Sequence, residues 1–416
     1  MTECEFSQYV SAYADDQLQG PDLERFQEHL ADCPACREQL ARTRRLGELL
    51  AESLQDDSAI DVTDAIRRRI ARRKLRTRII HATAVLATAA CVLVVVWLTC
   101  LRDQPDNAFI ASLDNGADWL VRTQEPEGYW DSCKYGSGFN FDIGLTALSV
   151  TALTEAYKRV GDPEMLDAAR RGANWLAGQE DRLGRFLKPG DQSRMYGQAA
   201  ATLALLRLYE EYPDPALHES IQRAITFGIR AQSSGGGWSY VPGISADTSH
   251  TGWFVLALAR ARALGFEVPE PTLAEARSYV NAMTVPDGRV SYTSVGQTSA
   301  GLTGTPVAVN ACIDGRIDPD SPAYPSARRL LNSTPDWTDR EQNLYLWFFA
   351  SAGLKCTVGI EKSRIWQADL LKTLLVHQDR TSGDTFGSWA NNDTTQANAG
   401  RVYSTSLAVL CLAQTD

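Results

Sequence analysis

The sequence predicts an all-α chain in three parts: a small helical zinc-binding domain, one transmembrane helix, and a large ring of paired helices. Three observations carry that expectation. His29, Cys33 and Cys36 stand at metal-ligand spacing, residues 79–101 carry no formal charge, and an apolar helix ending in Gln or a substitute recurs six times through the rest of the chain. The divisions that follow are 1–50 for the metal domain, 51–78 for a helical basic linker, 79–101 for the span and 102–416 for the repeats.

The first part is read from "HLADCPACREQL", which fits His-x3-Cys-x2-Cys. Zinc takes four ligands in a tetrahedron and accepts thiolate and imidazole readily. "DLERFQEHL" reads as a helix with Leu23, Phe26 and Leu30 on one side and His29 near its end. Pro34 suits the first turn of the next helix, so Cys33 and Cys36 meet His29 at the junction. Cys4 supplies the fourth soft ligand if the first helix folds back. A domain this small buries little apolar surface, so metal binding contributes directly to its folding.

The stretch "YADDQLQGPDLERFQEHLADCPACREQLAR", Tyr13 to Arg42, resembles the zinc-finger domain of bacterial anti-sigma factors. The resemblance implies Zn2+ held by His29, Cys33 and Cys36, with Cys4 as the fourth ligand. It also implies a cytoplasmic partner, a sigma factor of the extracytoplasmic-function type, clasped by a compact helical domain. Charge agrees with that partner: residues 1–66 carry fifteen Asp or Glu against five Arg, and polymerase-facing surfaces of sigma factors are generally basic.

The balance reverses abruptly. "RRRIARRKLRTR", Arg67 to Arg78, holds eight positive charges and no negative one, and the twenty-three residues from Ile79 to Leu101 follow it. As a helix that run spans about 30 Å, the thickness of a bilayer's hydrocarbon. It lies too far from the N-terminus to be a secretory signal. Basic residues just before a span mark the cytoplasmic side, which predicts a single-pass protein of the bacterial inner membrane with an internal N-terminus and an extracytoplasmic C-terminal region. The lipid bilayer is the expected partner of the basic run. The chain's net charge of −10 argues against direct nucleic-acid binding.

Beyond the span, outer helices end at Gln124, Gln179, Gln232, Met283, Thr334 and Gln378, at intervals of 55, 53, 51, 51 and 44 residues. A regular period of this length marks a repeated supersecondary unit. Gly- and aromatic-rich turns such as "QEPEGYWD" and "QSSGGGWSYVP" follow, then a second helix whose apolar residues run nearly all round, as an inner layer requires. Six such pairs can close on themselves.

Gln124 with Gly128 and Trp130, Gln232 with Gly237 and Trp238, and Gln378 with Gly387 and Trp389 resemble the Gln-Trp repeats of squalene cyclases and protein prenyltransferases. That resemblance implies an (α/α)6 toroid of terpenoid cyclase and protein prenyltransferase type. The chemistry of those enzymes is not carried over. A cyclase needs clustered carboxyls, an Asp-x-Asp-Asp arrangement, to protonate an alkene; here "SADTSH" retains only Asp247. A prenyltransferase zinc site needs a Cys close after the Asp, and Cys312 is a distant substitute for one beside Asp247 and His250. No catalytic residue is assigned.

The starts of the inner helices bring Asp142, Tyr196, Gln198, Asp247, His250, Thr305, Asn343, Tyr345 and Tyr403 toward one mouth of the ring, where a ligand can bind. Helix capping by Asp142 and Asp247, and packing by His250, are the competing roles. Trp253, Trp347 and Phe348 read as core or cavity lining. The functional expectation is a membrane regulator whose internal zinc domain binds a sigma factor and whose external toroid senses a ligand or an envelope protein. The alternative is a membrane-tethered enzyme of the squalene cyclase and prenyltransferase superfamily acting on an isoprenoid-like substrate.

Overall fold

The computed structural model describes residues 4–53, 108–338, 343–357, 360–391 and 397–415. The expected span at 79–101 and the basic run before it lie outside these. Among the described residues no helix is long and apolar enough to cross a membrane. The chain divides into two units, Met1–Trp97 and Leu98–Asp416.

The first unit is helical throughout its described part. A 3-10 turn at Glu5–Tyr9 runs into Val10–Ala14, followed by Pro21–Asp32 and Pro34–Ser53. Pro21 stands in the first turn of its helix, where a missing N–H costs nothing, and Gly20 before it adopts φ 66° to turn the chain in. Cys33 is the extended residue between the two longer helices. The Arg37 guanidinium donates back to the carbonyls of Leu30 and Ala31, closing the helix end that Cys33 interrupts. Apolar burial is slight: Val10, Phe26 and Cys36 are the buried residues, with Tyr9 and Tyr13 packed against the Phe26 ring.

The second unit is an α/α toroid. Its inner helices are Asp142–Val160, Arg194–Glu211, Thr248–Ala263, Gly304–Asp314, Leu344–Leu354 and Gly400–Gln414. Each packs on the next, and Gly400–Gln414 packs on Asp142–Val160, which closes the ring. The outer helices cover 108–123, Pro163–Gln179, Pro215–Arg230, Glu270–Ala282, Tyr324–Leu331 and Ile360–His377. Inner helices are buried nearly all round, as in Thr248–Ala263, where thirteen residues are buried; outer helices bury one stripe. A two-residue hairpin, Val290–Ser291 with Thr298–Ser299, interrupts the helical pattern ahead of Gly304.

Three of the repeats are locked to the next by the glutamines that mark the period. The Gln378 amide donates to the carbonyl of Gly387 in its own turn and to that of Ser112 on the first outer helix, both at 2.8 Å, joining last repeat to first. Gln124 donates likewise to Gly128 and Ala168, and Gln232 to Gly236 and Thr272. The Trp that follows is fully buried; its indole donates to the preceding outer helix, and its backbone N–H to a hydroxyl of the inner helix, Thr146, Thr251 or Thr405. In the second repeat Phe186 replaces the Trp, and Gln198 replaces the threonine, reaching from the inner helix to the Phe186 N–H and the Gly184 carbonyl.

Gly387 makes this turn possible. It holds φ 90°, and a Cβ there would press into the Asn115 carbonyl of the first outer helix. Gly190 has the same φ but open space around it. Both Gly→Ala changes carry the left-handed penalty of about 1–2 kcal/mol; Gly387→Ala adds an overpacking cost of about 1–3 kcal/mol. Thermal unfolding should therefore show Gly387→Ala lowering the toroid's midpoint by several degrees more than Gly190→Ala. Gln378→Ala, which strands two carbonyls, should cost about 1–3 kcal/mol on the same measurement.

Candidate metal centre and toroid cavity

The four residues expected to hold zinc converge. Cys4, His29, Cys33 and Cys36 place their ligand atoms within 4.8 Å of one another, with Cys4 Sγ 3.2 Å from His29 Nε2 and 3.9 Å from Cys33 Sγ. A zinc tetrahedron with sulfur arms of about 2.3 Å has edges of roughly 3.8 Å, so the donor spacing suits the ion. Sequence order dictates the convergence. His29 ends one helix, Cys33 is the residue between helices and Cys36 opens the next, while the 3-10 turn after Cys4 returns the N-terminus to them. The Phe6 ring stacks on the His29 imidazole at 4.3 Å and 15°, fixing its plane.

The thiols are unequal. The Cys36 backbone N–H, the largest influence, favours the Cys33 thiolate and holds its pKa down to about 7, whereas burial pushes the Cys36 thiol up to about 12. A thiolate is the form that ligates zinc. The three thiols and one imidazole form a zinc site in a domain with almost no core of its own.

In the toroid, the mouth formed by the starts of the inner helices opens on a cavity of about 430 Å³. Of the residues expected there, Tyr196, Asn343, Tyr345 and Tyr403 line it. Thr305 lies behind the wall, its hydroxyl 3.0 Å from that of Tyr345. Asp247 and His250 are fully buried. Asp247 caps its helix through the His250 N–H, and its other carboxylate oxygen lies 2.7 Å from His250 Nδ1. Ser249, on the cavity wall, links Asp247 to the Tyr196 hydroxyl. The His250 ring is stacked under Tyr196 at 3.5 Å, and its Nε2 has no hydrogen-bond partner among the described residues.

Asp142 does not cap its own helix. Its carboxylate receives the Ser132 N–H, the Ser132 hydroxyl and the Asn140 amide, pinning the preceding turn. The helix's free N–H groups at Ile143 and Gly144 are taken instead by Asp191 and Ser193 of the following loop. Gln198 is buried in the turn it holds. Trp253 lines the cavity, with one face against Phe348 at 5.1 Å. Sequence reasoning missed four wall residues: Tyr240, Tyr292 and Gln192 from loops and Ser299 from the short hairpin.

Among the described residues no charged side chain lines the cavity. Burial, reinforced by the charge of Asp247, pushes the Tyr196, Tyr292 and Tyr345 hydroxyls above their ordinary range, apart from weaker opposing hydrogen bonds. They remain neutral donors at any physiological pH.

Because the metal domain has so small a core, a strong chelator applied to the zinc-loaded full-length chain should abolish its helical contribution to circular dichroism while the toroid's unfolding transition stays where it was. Cys33→Ser should lower zinc content per chain, measured by elemental analysis, with the same selective loss.

Comparison with known proteins separates the two units. Residues 4–37 match the family described as "Putative zinc-finger". No curated protein sequence matches the chain. Among solved structures, the chain is similar to an inactive variant of the α-1,6-mannanase of Salegentibacter sp. in complex with α-1,6-mannotriose, at 13% identity and TM-score 0.56 over 74% of this chain and 98% of that one. It is similar also to the cellobiose 2-epimerase of Spirochaeta thermophila, at 15% identity and TM-score 0.55 over 76% and 97%. A type II terpene cyclase of Scytonema matches at 14% identity and TM-score 0.48 over 74% and 97%. At such identities the likeness to the mannanase and the epimerase is one of fold: the α/α toroid.

Proposed function

We propose that the chain is a single-span regulator of the bacterial inner membrane, in which the zinc domain binds a sigma factor of the extracytoplasmic-function type inside the cell and the toroid acts outside as a sensor or binding module. The observation that carries the reading is the Cys4, His29, Cys33 and Cys36 cluster within a segment matching a zinc-finger family. The resemblance of that segment to anti-sigma factors supplies the partner, and its acidic surface suits a basic one. The uncharged run at 79–101 behind eight positive charges supports the span and its orientation.

The cavity favours binding over turnover. Among the described residues neither an acid pair for protonating an alkene nor one for cleaving a glycoside lies on its wall, which supports binding as the toroid's role.

The reading is tested by co-purifying the full-length, zinc-loaded chain with each extracytoplasmic-function sigma factor of the source organism and by transcription from the matching promoter. One sigma factor should co-purify, transcription should fall several-fold, and Cys33→Ser should restore it. Failure of every sigma factor to co-purify with the zinc-loaded chain overturns the proposal.

A further inference from the structure

The toroid's cavity has two chemically distinct sides. One is aromatic: Tyr196, Tyr240, Trp253, Tyr292 and Tyr345 present ring surface, and their hydroxyls are largely spoken for. Tyr196 bonds Ser249, Tyr292 donates to Tyr240, and Tyr345 meets Thr305. The other side offers neutral polar groups with hydrogen-bonding capacity left over. The Asn343 oxygen accepts the Leu346 N–H, which leaves its amide NH2 for a ligand. Gln192 and Ser299 are exposed wall residues whose side chains bond nothing among the described residues.

Each ligand class meets this wall differently. A formal charge would lose its water and find no charged side chain among the described wall residues to replace it, a cost of several kcal/mol or more. At three of the six helix starts the N–H groups of Ile143, Gly144, His250 and Leu346 are already taken by side chains, which leaves an anion only the starts of Arg194–Glu211, Gly304–Asp314 and Gly400–Gln414 and no cationic side chain among the described wall residues. A wholly apolar chain would suit the rings but bury the Asn343 and Gln192 amides without partners, at about 1–3 kcal/mol for each stranded group. An uncharged sugar satisfies both sides. Its flat C–H faces stack on aromatic rings, and its adjacent hydroxyls each donate and accept, as primary amides do.

Resting on the reading of the toroid as a binding module, we propose that this cavity binds an uncharged oligosaccharide and releases it intact. Its volume of about 430 Å³ admits on the order of two sugar rings. Among the described residues the wall carries no carboxyl group, whereas glycoside hydrolysis requires two flanking the bond; Asp247, behind the wall, is fully buried and bonded to His250 and Ser249.

Isothermal titration of the full-length chain with cellobiose, α-1,6-mannotriose, choline and geraniol tests the assignment, with chromatography of the recovered sugar. At least one of the two sugars should bind and be recovered uncut. Gln192→Ala, on an exposed loop, and Asn343→Asp, which keeps the helix cap but removes the NH2 donor, should each weaken it at least tenfold. Sugar binding indifferent to both variants, or release of shorter sugars, overturns the proposal. Binding of choline or geraniol in place of either sugar overturns the ligand class while leaving a binding module; silence from all four at millimolar concentration overturns the module as well.

Discussion

The toroid depends on a contact between backbones that only glycine permits. At the end of an outer helix the chain must reverse into the ring, and it does so with its turn pressed against the next outer helix. At Gly387 the neighbour is the Asn115 carbonyl of the first repeat, so this one turn also decides whether the ring closes. Once the backbones are that close, the Gln378 amide can span them and the Trp389 indole can fill the space beneath, donating to Leu374. The order of cause runs from glycine to glutamine to tryptophan. An intact ring then converges the inner helix starts and their connecting loops on one mouth, and the cavity exists because the ring does.

The small N-terminal unit solves its stability problem by other means. Among its described residues Val10, Phe26 and Cys36 are the buried apolar ones, so hydrophobic burial supplies far less than a large domain gains. Zinc ties the N-terminal turn, the end of one helix and the start of the next at a single point. The inequality of the thiols follows from the same geometry. Cys33 lies at the N-terminal end of a helix, facing its N–H groups, while Cys36 lies one turn inside and is buried.

What the sequence disclosed, and what it withheld, divides by the range of the interaction. Gln124, Gln232 and Gln378 were legible because their role recurs at a fixed interval, and the outer helices end within three residues of each expected position. His29, Cys33 and Cys36 were legible because their geometry is local; Cys4 needed the fold to bring it back. The helix cap of Asp247 was an open alternative in "SADTSH" and is observed. Gln198 reads from sequence as a mouth residue yet turns into the interior, because Phe186 is shorter than the tryptophan of the other repeats and the longer glutamine reaches across to its turn. Tyr240 and Tyr292 were hidden for a different reason. Each sits in a loop whose path is set by the neighbouring repeat, so no period in its own segment betrays its direction.

Neutrality of the cavity is a consequence of how the mouth is built. Six helix starts gathered in a small space present N–H groups that need acceptors, and three described acidic side chains near the mouth are consumed in providing them or in bracing turns: Asp191 on Ile143, Asp247 on His250, Asp142 on Ser132. The Asp247 charge still acts at a distance, since it adds to the burial that keeps Tyr196, Tyr292 and Tyr345 protonated.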